Sequence, residues 1–185
     1  MKYFFKILLF FLLVSLVGCS GKKEKEVVVD SIDLESQMIE AYNTGVKALE
    51  DGDVLFAAKN FNTVENIYPQ SVWAPRSILM AAYSFYSQDY YGYAISELKR
   101  YIRNYPTSEN LSYAYFLIAT CYYETIVDEK KDLSPLLNSK KYFEIIIKEY
   151  PNTDFPLDAK FKLDLIENIL ASKEVYIGNY YIDKK

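Results

Sequence analysis

The 185-residue sequence has no histidine, and it has only six glycines, six prolines and two cysteines. Without histidine it offers no Ser-His-Asp or Cys-His nucleophile relay, no HExxH zinc site and no imidazole proton shuttle. No glycine-rich run is available to cradle a phosphate, so ATP binding is not expected either. These absences predict a protein that is not an enzyme and has no catalytic residue, no metal site and no cofactor.

Tyrosine, by contrast, is abundant. The chain carries 19 tyrosines and 11 phenylalanines, and the tyrosine share is about twice that of an ordinary composition. Rigid amphipathic rings on a chain with few helix breakers favour a helical protein that recognises other proteins. Asp51 and Asp53 are expected to be turn and cap residues instead of a catalytic dyad. The basic cluster Lys99, Arg100 and Arg103 is expected to be a solvated helix end.

The first 18 residues have the features of a signal peptide. Lys2 and Lys6 give a positive start, and the run Ile7–Val17 is apolar except for Ser15. At about 1.5 Å per residue this run covers roughly half of a bilayer core of about 30 Å. It is therefore too short for a membrane span, and residues 1–18 are predicted to be removed.

The apolar run ends in Leu16-Val17-Gly18-Cys19, which resembles the bacterial lipobox. The resemblance implies that Cys19 carries palmitate-type acyl chains and becomes the new N-terminus, and about two or three chains are enough for stable anchoring. Ser20 follows, where Asp would favour inner-membrane retention. The sorting rule therefore implies the periplasmic face of the outer membrane of a Gram-negative bacterium. The alternative is an ordinary secretory peptide with a chance cysteine.

The mature chain that follows the signal peptide is acidic overall, and its first residues are mostly polar. Removing residues 1–18 removes two lysines, so the net charge falls from −4 to −6. This balance argues against binding to nucleic acid and against electrostatic binding to anionic lipid. Residues 19–37 are predicted to form a lipidated flexible tether. Cys121 then remains as a single thiol, and its apolar neighbours predict a buried small hydrophobic side chain.

A Tyr-Pro dipeptide recurs at Tyr68-Pro69, Tyr105-Pro106 and Tyr150-Pro151, and the prolines are 37 and 45 residues apart. These spacings are close to the tetratricopeptide unit, a helix-turn-helix pair of roughly 34 residues, with short insertions. The sequence therefore predicts an all-α tetratricopeptide-repeat solenoid over residues 38–185. The predicted repeats are 38–71, 75–108, 112–153 and a partial repeat at 154–185.

Residues inside the units support this register. Gly45 and Ala82 are small residues at the position where helix A packs closely on helix B. Ala57-x3-Phe61 matches the helix B pattern, and Asp51-Gly52-Asp53 supplies a glycine stop followed by an Asp start. The third repeat is looser, because an excess around residues 128–135 lengthens its turn.

The end of the chain differs from a capping repeat. The pattern predicts a helix from about Pro156 and a second segment from Lys173 to Tyr181. A terminal repeat normally turns a polar side to solvent. The aromatic residues here predict a partner interface instead, formed by Tyr176, Tyr180 and Tyr181.

Tetratricopeptide arrays commonly bind ligands in a concave groove lined by fixed positions of each helix A. The predicted peptide-binding groove consists of Tyr42, Arg76, Tyr83, Tyr86, Tyr113, Phe116 and Tyr123. Because Arg76 is the only cation among them, the ligand is expected to be extended, apolar or aromatic, and to end in a carboxylate. In the alternative interpretation some of these rings fill the core between helices A and B, where a register error of one residue would place them.

Several motifs together resemble the BamD family, the outer-membrane lipoproteins of the β-barrel assembly (Bam) machinery. Beside the lipobox, the tether and the Tyr-Pro repeats, they are Tyr113-x-Tyr115-Phe116-x5-Tyr122-Tyr123, Asp158-Ala159-x-Phe161-x-Leu163-x-Leu165, Leu170-Ala171-x2-Glu174 and Gly178-x-Tyr180-Tyr181. The last three motifs are the most specific, because generic repeats lack them.

The resemblance implies an essential non-enzymatic scaffold that assists the assembly and insertion of outer-membrane proteins. It implies binding to the Omp85-type, BamA-like barrel subunit and to the C-terminal signals of unfolded outer-membrane β-barrel proteins. Other Bam lipoproteins are implied as further partners. Family members continue into further helix pairs, so the chain is expected to be either a fragment or an unusually short member.

Two other functions are weighed against this one. A periplasmic tetratricopeptide adaptor of cell division or of the Tol-Pal system shares the Tyr-Pro rhythm. Such adaptors are typically soluble, however, with a coiled-coil start in place of Cys19. An enzyme of peptidoglycan metabolism carried on a helical solenoid needs a catalytic constellation that the sequence does not offer.

Overall fold

The computed structural model describes residues 31–126 and 132–184, and all regular structure in these two ranges is α-helical. The helices are α1 (Ser31–Glu50), α2 (Val54–Ile67), α3 (Trp73–Tyr86), α4 (Tyr91–Asn104), α5 (Leu111–Glu124), α6 (Ser134–Glu149) and α7 (Pro156–Asp183). Each helix from α2 onward packs against the next one along the chain. The predicted all-α class of helix-turn-helix repeats is confirmed. Within the described ranges, none of the helices combines the length and the apolar character that a membrane crossing requires.

Helix α1 begins at Ser31, seven residues before the predicted start at residue 38. The predicted tether is therefore wrong for residues 31–37, while residues 1–30, including the predicted signal peptide and Cys19, lie outside the described residues. Asp33 lies in the first turn, where a negative charge is favourable. The Gln37 side-chain amide donates to the Asp33 carboxylate over 2.9 Å, one helical turn away. These polar contacts extend the helix without the apolar periodicity that the prediction needed.

The turn between α1 and α2 is built as its sequence predicts. Gly52 has a φ of +81°, in the left-handed region that glycine adopts without strain. Asp53 is the N-cap of α2, and its carboxylate accepts a 3.0 Å hydrogen bond from the amide of Phe56. Asp51 and Asp53 are both exposed. Asp53 is thus shown to be a cap residue, as expected.

The Tyr-Pro dipeptides end the second helix of each pair. Helices α2, α4 and α6 stop one residue before Tyr68, Tyr105 and Tyr150. The amide of each tyrosine still donates to the carbonyl four residues earlier, over 3.2, 2.9 and 3.0 Å. The proline that follows has no amide hydrogen and cannot continue the ladder, so the chain turns into the next pair.

Small residues allow the two helices of each pair to approach closely. A Cβ added to Gly45 would lie 2.9 Å from Cε1 of Phe61, so the Phe61 ring occupies the place of a side chain at Gly45. Ala82 and Ala119 hold the same position in the next two pairs, and both are fully buried. The Ser139 hydroxyl donates to the Ala119 carbonyl over 2.9 Å. The small-residue pattern therefore positions the paired helices as predicted.

The C-terminal region is one helix where the sequence predicts two segments. Helix α7 runs without a break from Pro156 to Asp183. The stretch Ala171-Ser172-Lys173 contains no proline or glycine that could end the helix. Gly178 lowers helix propensity by about 1 kcal/mol, which a helix of this length tolerates. The prediction of a second segment beginning at Lys173 is therefore wrong.

Candidate functional site

The aromatic residues of the predicted groove fall into separate clusters. The ring of Tyr42 packs edge to face against Phe61, with a centroid distance of 5.4 Å, and against Trp73, at 5.3 Å. The Arg76 guanidinium carbon lies 6.0 Å from the centroid of Trp73 and is exposed. Tyr42 thus joins the first helix pair to the second. Its packing fits the alternative interpretation of a ring that fills the core between helices.

A second cluster consists of Tyr83, Tyr86 and Tyr113, which we call the tyrosine cluster. The rings of Tyr83 and Tyr86 are 6.5 Å apart, and Tyr83 is 43% exposed. The pKa of Tyr113 is raised to about 12, mainly by burial and further by the nearby hydroxyls of Tyr83 and Tyr86. Helices α3 and α5 therefore bring together three of the predicted groove residues.

Phe116 and Tyr113 also pack against the start of α7. Phe116 stacks on Phe155 at a centroid distance of 5.0 Å and meets Phe143 edge to face at 6.0 Å. Tyr113 lies 6.0 Å from the same Phe155 ring. Phe155 is the N-cap residue of α7, and no helical periodicity in the sequence marks it. These rings fix the start of α7 on the third helix pair.

Tyr123 faces α7. The Lys162 ammonium lies 4.5 Å above the Tyr123 ring, in cation–π geometry. Tyr123 also lines a cavity of about 360 Å³ together with Leu165, Lys173 and Tyr176. The structure thus separates Tyr123 from the tyrosine cluster and places it beside one member of the predicted partner interface.

The end of α7 exposes the remaining residues of that interface. Tyr180 is 47% exposed and Tyr181 is 67% exposed, and their rings are 5.6 Å apart. The Lys184 ammonium lies 4.5 Å above the Tyr180 ring. Val175 and Ile182 on the same stretch are also largely exposed. Several exposed apolar residues gathered at one end of a helix are typical of protein contact sites.

A polar network that the sequence does not reveal joins α2 to α4. Glu65 is only 7% exposed and accepts hydrogen bonds from the Arg100 guanidinium and from the Asn104 amide, the latter over 3.2 Å. Arg100 donates to Glu97 as well. Although burial lowers the pKa of Arg100, Glu97 and Glu65 together raise it above its ordinary value. The prediction of a solvated helix end is therefore wrong for Arg100. Its side chain links two neighbouring repeats.

Removing the Glu65 carboxylate tests this network. Replacing Glu65 by Ala leaves Arg100 without its most buried partner, and breaking a buried pair costs about 3–5 kcal/mol. The Arg100 side chain is 27% exposed, so we expect a smaller loss of unfolding free energy, about 2 kcal/mol in a urea titration.

Glu144 provides the matched control. Its carboxylate lies 3.9 Å from the Lys140 ammonium and its side chain is 53% exposed. The exchange of Glu144 for Ala should cost less than about 0.5 kcal/mol. Equal losses of unfolding free energy for the two variants would show that the Glu65 network does not stabilise the packing of the helix pairs.

The thiol of Cys121 is buried, as its apolar neighbours predict. Burial raises its pKa to about 12, so the unreactive protonated form dominates at neutral pH. Among residues 31–126 and 132–184, no group of three cysteine, aspartate or glutamate residues is placed to hold a metal ion.

These features define a class, the all-α helix-turn-helix repeat proteins with aromatic surface clusters, and the comparisons with known proteins define a family. The family model YfiO, described as outer membrane lipoprotein, matches residues 34–185. The outer membrane protein assembly factor BamD of Caulobacter vibrioides is 36% identical over 169 residues. BamD of Rickettsia prowazekii is 35% identical over 182 residues. The chain belongs to the BamD (YfiO) family of outer membrane lipoproteins.

The extent of the match differs between the two relatives. The aligned region covers 91% of this chain and 54% of the Caulobacter protein. It covers 97% of this chain and 70% of the Rickettsia protein. The chain thus spans about half the length of the Caulobacter protein and a larger share of the Rickettsia protein. The predicted family and the predicted location at the outer membrane are confirmed.

Proposed function

We propose that the protein is a non-enzymatic scaffold that assists the assembly of outer-membrane β-barrel proteins. The family match over residues 34–185 carries this proposal. Both relatives described above are named outer membrane protein assembly factor BamD. The protein is held at the periplasmic side of the membrane by acyl chains on Cys19. Its partners are the Omp85-type barrel subunit, unfolded β-barrel proteins and other Bam lipoproteins.

The tyrosine cluster is the proposed contact for unfolded substrates. Tyr83 is well exposed, while Tyr86 and Tyr113 are half-buried and hold their rings in place by packing. Rings fixed in this way offer a large apolar surface and hydroxyl groups at a small entropic cost. Arg76, on the same helix α3, is exposed and carries no ion pair among the described residues. Its guanidinium fits a terminal carboxylate.

The end of α7 is the proposed contact for the barrel subunit. Tyr176, Tyr180 and Tyr181 are each at least 47% exposed and follow one another along the last turns of the helix. Aromatic residues are enriched at protein–protein interfaces. This surface is separate from the tyrosine cluster, so the scaffold can hold a substrate and the barrel subunit together.

Affinity purification tests the proposed function. The full chain with a C-terminal tag is expressed in its own host and purified from membranes in mild detergent. We expect the Omp85-type barrel subunit in the eluate. Recovery of Tol-Pal components in its place would refute the assembly role and support the adaptor function.

The substrate contact is tested by changing Tyr83 and Tyr86 to Ala together. The expected result is a loss of affinity of at least about tenfold, or about 1.4 kcal/mol, for an extended aromatic peptide with a free C-terminal carboxylate. Fluorescence anisotropy measures the binding. Amidation of the peptide should weaken binding to the parent protein and leave binding to an Arg76→Ala variant unchanged.

The control removes two exposed tyrosines from the same repeat. Tyr90 and Tyr93 are 43% and 62% exposed and belong to the turn and to α4. The peptide is chosen without arginine, so changing both tyrosines to Ala should leave its affinity unchanged. Circular dichroism must show that every variant keeps its helices. Unchanged affinity after loss of Tyr83 and Tyr86 would remove the tyrosine cluster from the substrate site.

A further inference from the structure

The turn between α3 and α4 repeats the geometry of the turn between α1 and α2, with a different residue at its critical position. The amide of Gly52 donates to the Leu49 carbonyl over 3.1 Å, and the amide of Asp89 donates to the Tyr86 carbonyl over 3.1 Å. The following amides, of Asp53 and Tyr90, each donate five residues back. Asp89 therefore holds the place of Gly52, immediately before the N-cap.

Asp89 adopts a backbone conformation that glycine takes more readily. It has a φ of +63°, and it is the only described residue other than glycine with a positive φ. The α3–α4 turn also lacks the cap of the earlier one, because Tyr90 makes no side-chain capping bond to α4. Non-glycine residues held in the left-handed region cluster at functional sites. The α3–α4 turn thus has an aspartate where glycine would fit better and a tyrosine where a capping side chain would stabilise the helix.

The rings and the carboxylate line an open cavity. Tyr90, Tyr91 and Tyr93 line a space of about 390 Å³ together with Asp89 and Thr125. Tyr90 and Tyr93 meet edge to face at a centroid distance of 6.4 Å. The Tyr91 hydroxyl donates to Oδ1 of Asp89 over 2.7 Å. The cavity is therefore open to solvent and is lined by aromatic rings and one carboxylate.

The charges around the cavity favour a cation. The hydrogen bond to Asp89 raises the pKa of Tyr91, so that hydroxyl stays protonated and remains a donor to the carboxylate. Glu124, at the end of α5, acts on Tyr91 as a second negative charge. Among residues 31–126 and 132–184, no lysine or arginine lines the cavity. A cation over tyrosine rings is attracted by the negative faces of the rings, and the carboxylate adds to this attraction.

We propose that this cavity, which we call the Asp89 cage, binds an arginine side chain of a partner polypeptide. Arginine fits better than lysine, because its planar guanidinium both stacks on aromatic rings and forms directed bonds to a carboxylate. Tyrosine is enriched at protein–protein interfaces. The Asp89 cage shares no residue with the tyrosine cluster or with the end of α7, so its failure leaves the proposed function intact.

The glycines of the chain make a direct test possible. The sequence has six glycines, of which Gly92 lines the Asp89 cage. The full-length protein is labelled with ¹⁵N-glycine and purified in detergent micelles, and its amide spectrum is recorded during titration with acetyl-Ala-Arg-Ala-amide. We expect a saturable shift of the Gly92 signal. The Gly52 signal, in the equivalent turn without tyrosines, should not move.

Two other peptides separate charge from shape. The same peptide with citrulline in place of arginine keeps the size and loses the charge, and it should not shift Gly92. The lysine peptide should bind more weakly by at least about threefold, since an ammonium can lie over a ring but has no planar group that stacks on it and bonds the carboxylate at two points. A shift of Gly92 that is equal with citrulline, or equal affinity for lysine, would overturn the assignment to arginine.

Variants of the turn complete the test. Asp89→Asn keeps the shape and tolerates a positive φ, yet it should weaken arginine binding by at least about fivefold through loss of charge. Asp89→Gly should also lose binding while the unfolding temperature stays at or above that of the parent, because glycine adopts this φ without strain. Asp51→Asn, in the equivalent turn, should bind as the parent does. Binding that survives Asp89→Asn would overturn the proposal.

Discussion

Replacing Phe61 by Ala is expected to lower the unfolding free energy by about 3–5 kcal/mol, the usual cost of removing a fully buried phenylalanine. Phe61 has no exposed surface, and its ring lies against the backbone of Gly45 and 5.4 Å from the ring of Tyr42. The side chain therefore joins α2 to α1 where the small residue allows close approach. Urea denaturation followed by circular dichroism measures the loss.

Phe56 offers a control on the same helix. It is 45% exposed, so its change to Ala should cost less than about 1 kcal/mol. If the Phe61 variant loses no more stability than the Phe56 variant, then α1 and α2 do not pack through this ring. The register of the first repeat would then be wrong.

Replacing Cys19 by Ala is expected to abolish lipidation and to remove the protein from the outer membrane. Each buried methylene of an acyl chain contributes about 0.8 kcal/mol to membrane binding, so the acyl chains are expected to hold the protein more firmly than a protein contact that urea disrupts. Labelled palmitate should not enter the variant, and the uncleaved precursor should be absent from the outer-membrane fraction after a urea wash.

The other cysteine is the matched control. Cys121 is buried in α5, so Cys121→Ala should incorporate palmitate as the parent does. If the Cys19 variant still fractionates with the outer membrane after the wash, then the protein is held there by other means and the assignment of the anchor is wrong.

Residues that end helices, or that allow helices to pack closely, made most of the fold predictable from the sequence. The Tyr-Pro dipeptides end three helices where expected, because a proline cannot donate to the helical ladder. Gly45, Ala82 and Ala119 mark close helix contacts, because a larger side chain would collide with the facing helix. Such signals are local and depend on residue type alone, so a single sequence displays them.

Features that depend on tertiary contacts were not predictable in the same way. The pairing of Glu65 with Arg100 joins residues 35 positions apart, and nothing in either local sequence indicates it. The long α7 is stabilised at its start by Phe155, which packs on Phe116 and Tyr113. The early part of α1 contains the contact between Gln37 and Asp33. Amphipathic periodicity detects none of these contacts.

The predicted groove illustrates the same limit. Helical register places seven residues on one row, but it does not tell which rings are used for packing. In the structure Tyr83, Tyr86 and Tyr113 lie together, whereas Tyr42 packs between helix pairs and Tyr123 faces α7. The size and direction of each ring decide this division, and the neighbouring helices fix both.

Photo-crosslinking from position 83 in living cells tests the assembly role most directly. A photoreactive phenylalanine replaces Tyr83 in the full-length protein, cells are irradiated, and the adducts are identified by mass spectrometry. We expect adducts with newly made outer-membrane β-barrel proteins, which disappear when synthesis of those proteins is stopped. Adducts with Tol-Pal components alone, or adducts that persist without new β-barrel proteins, would contradict it.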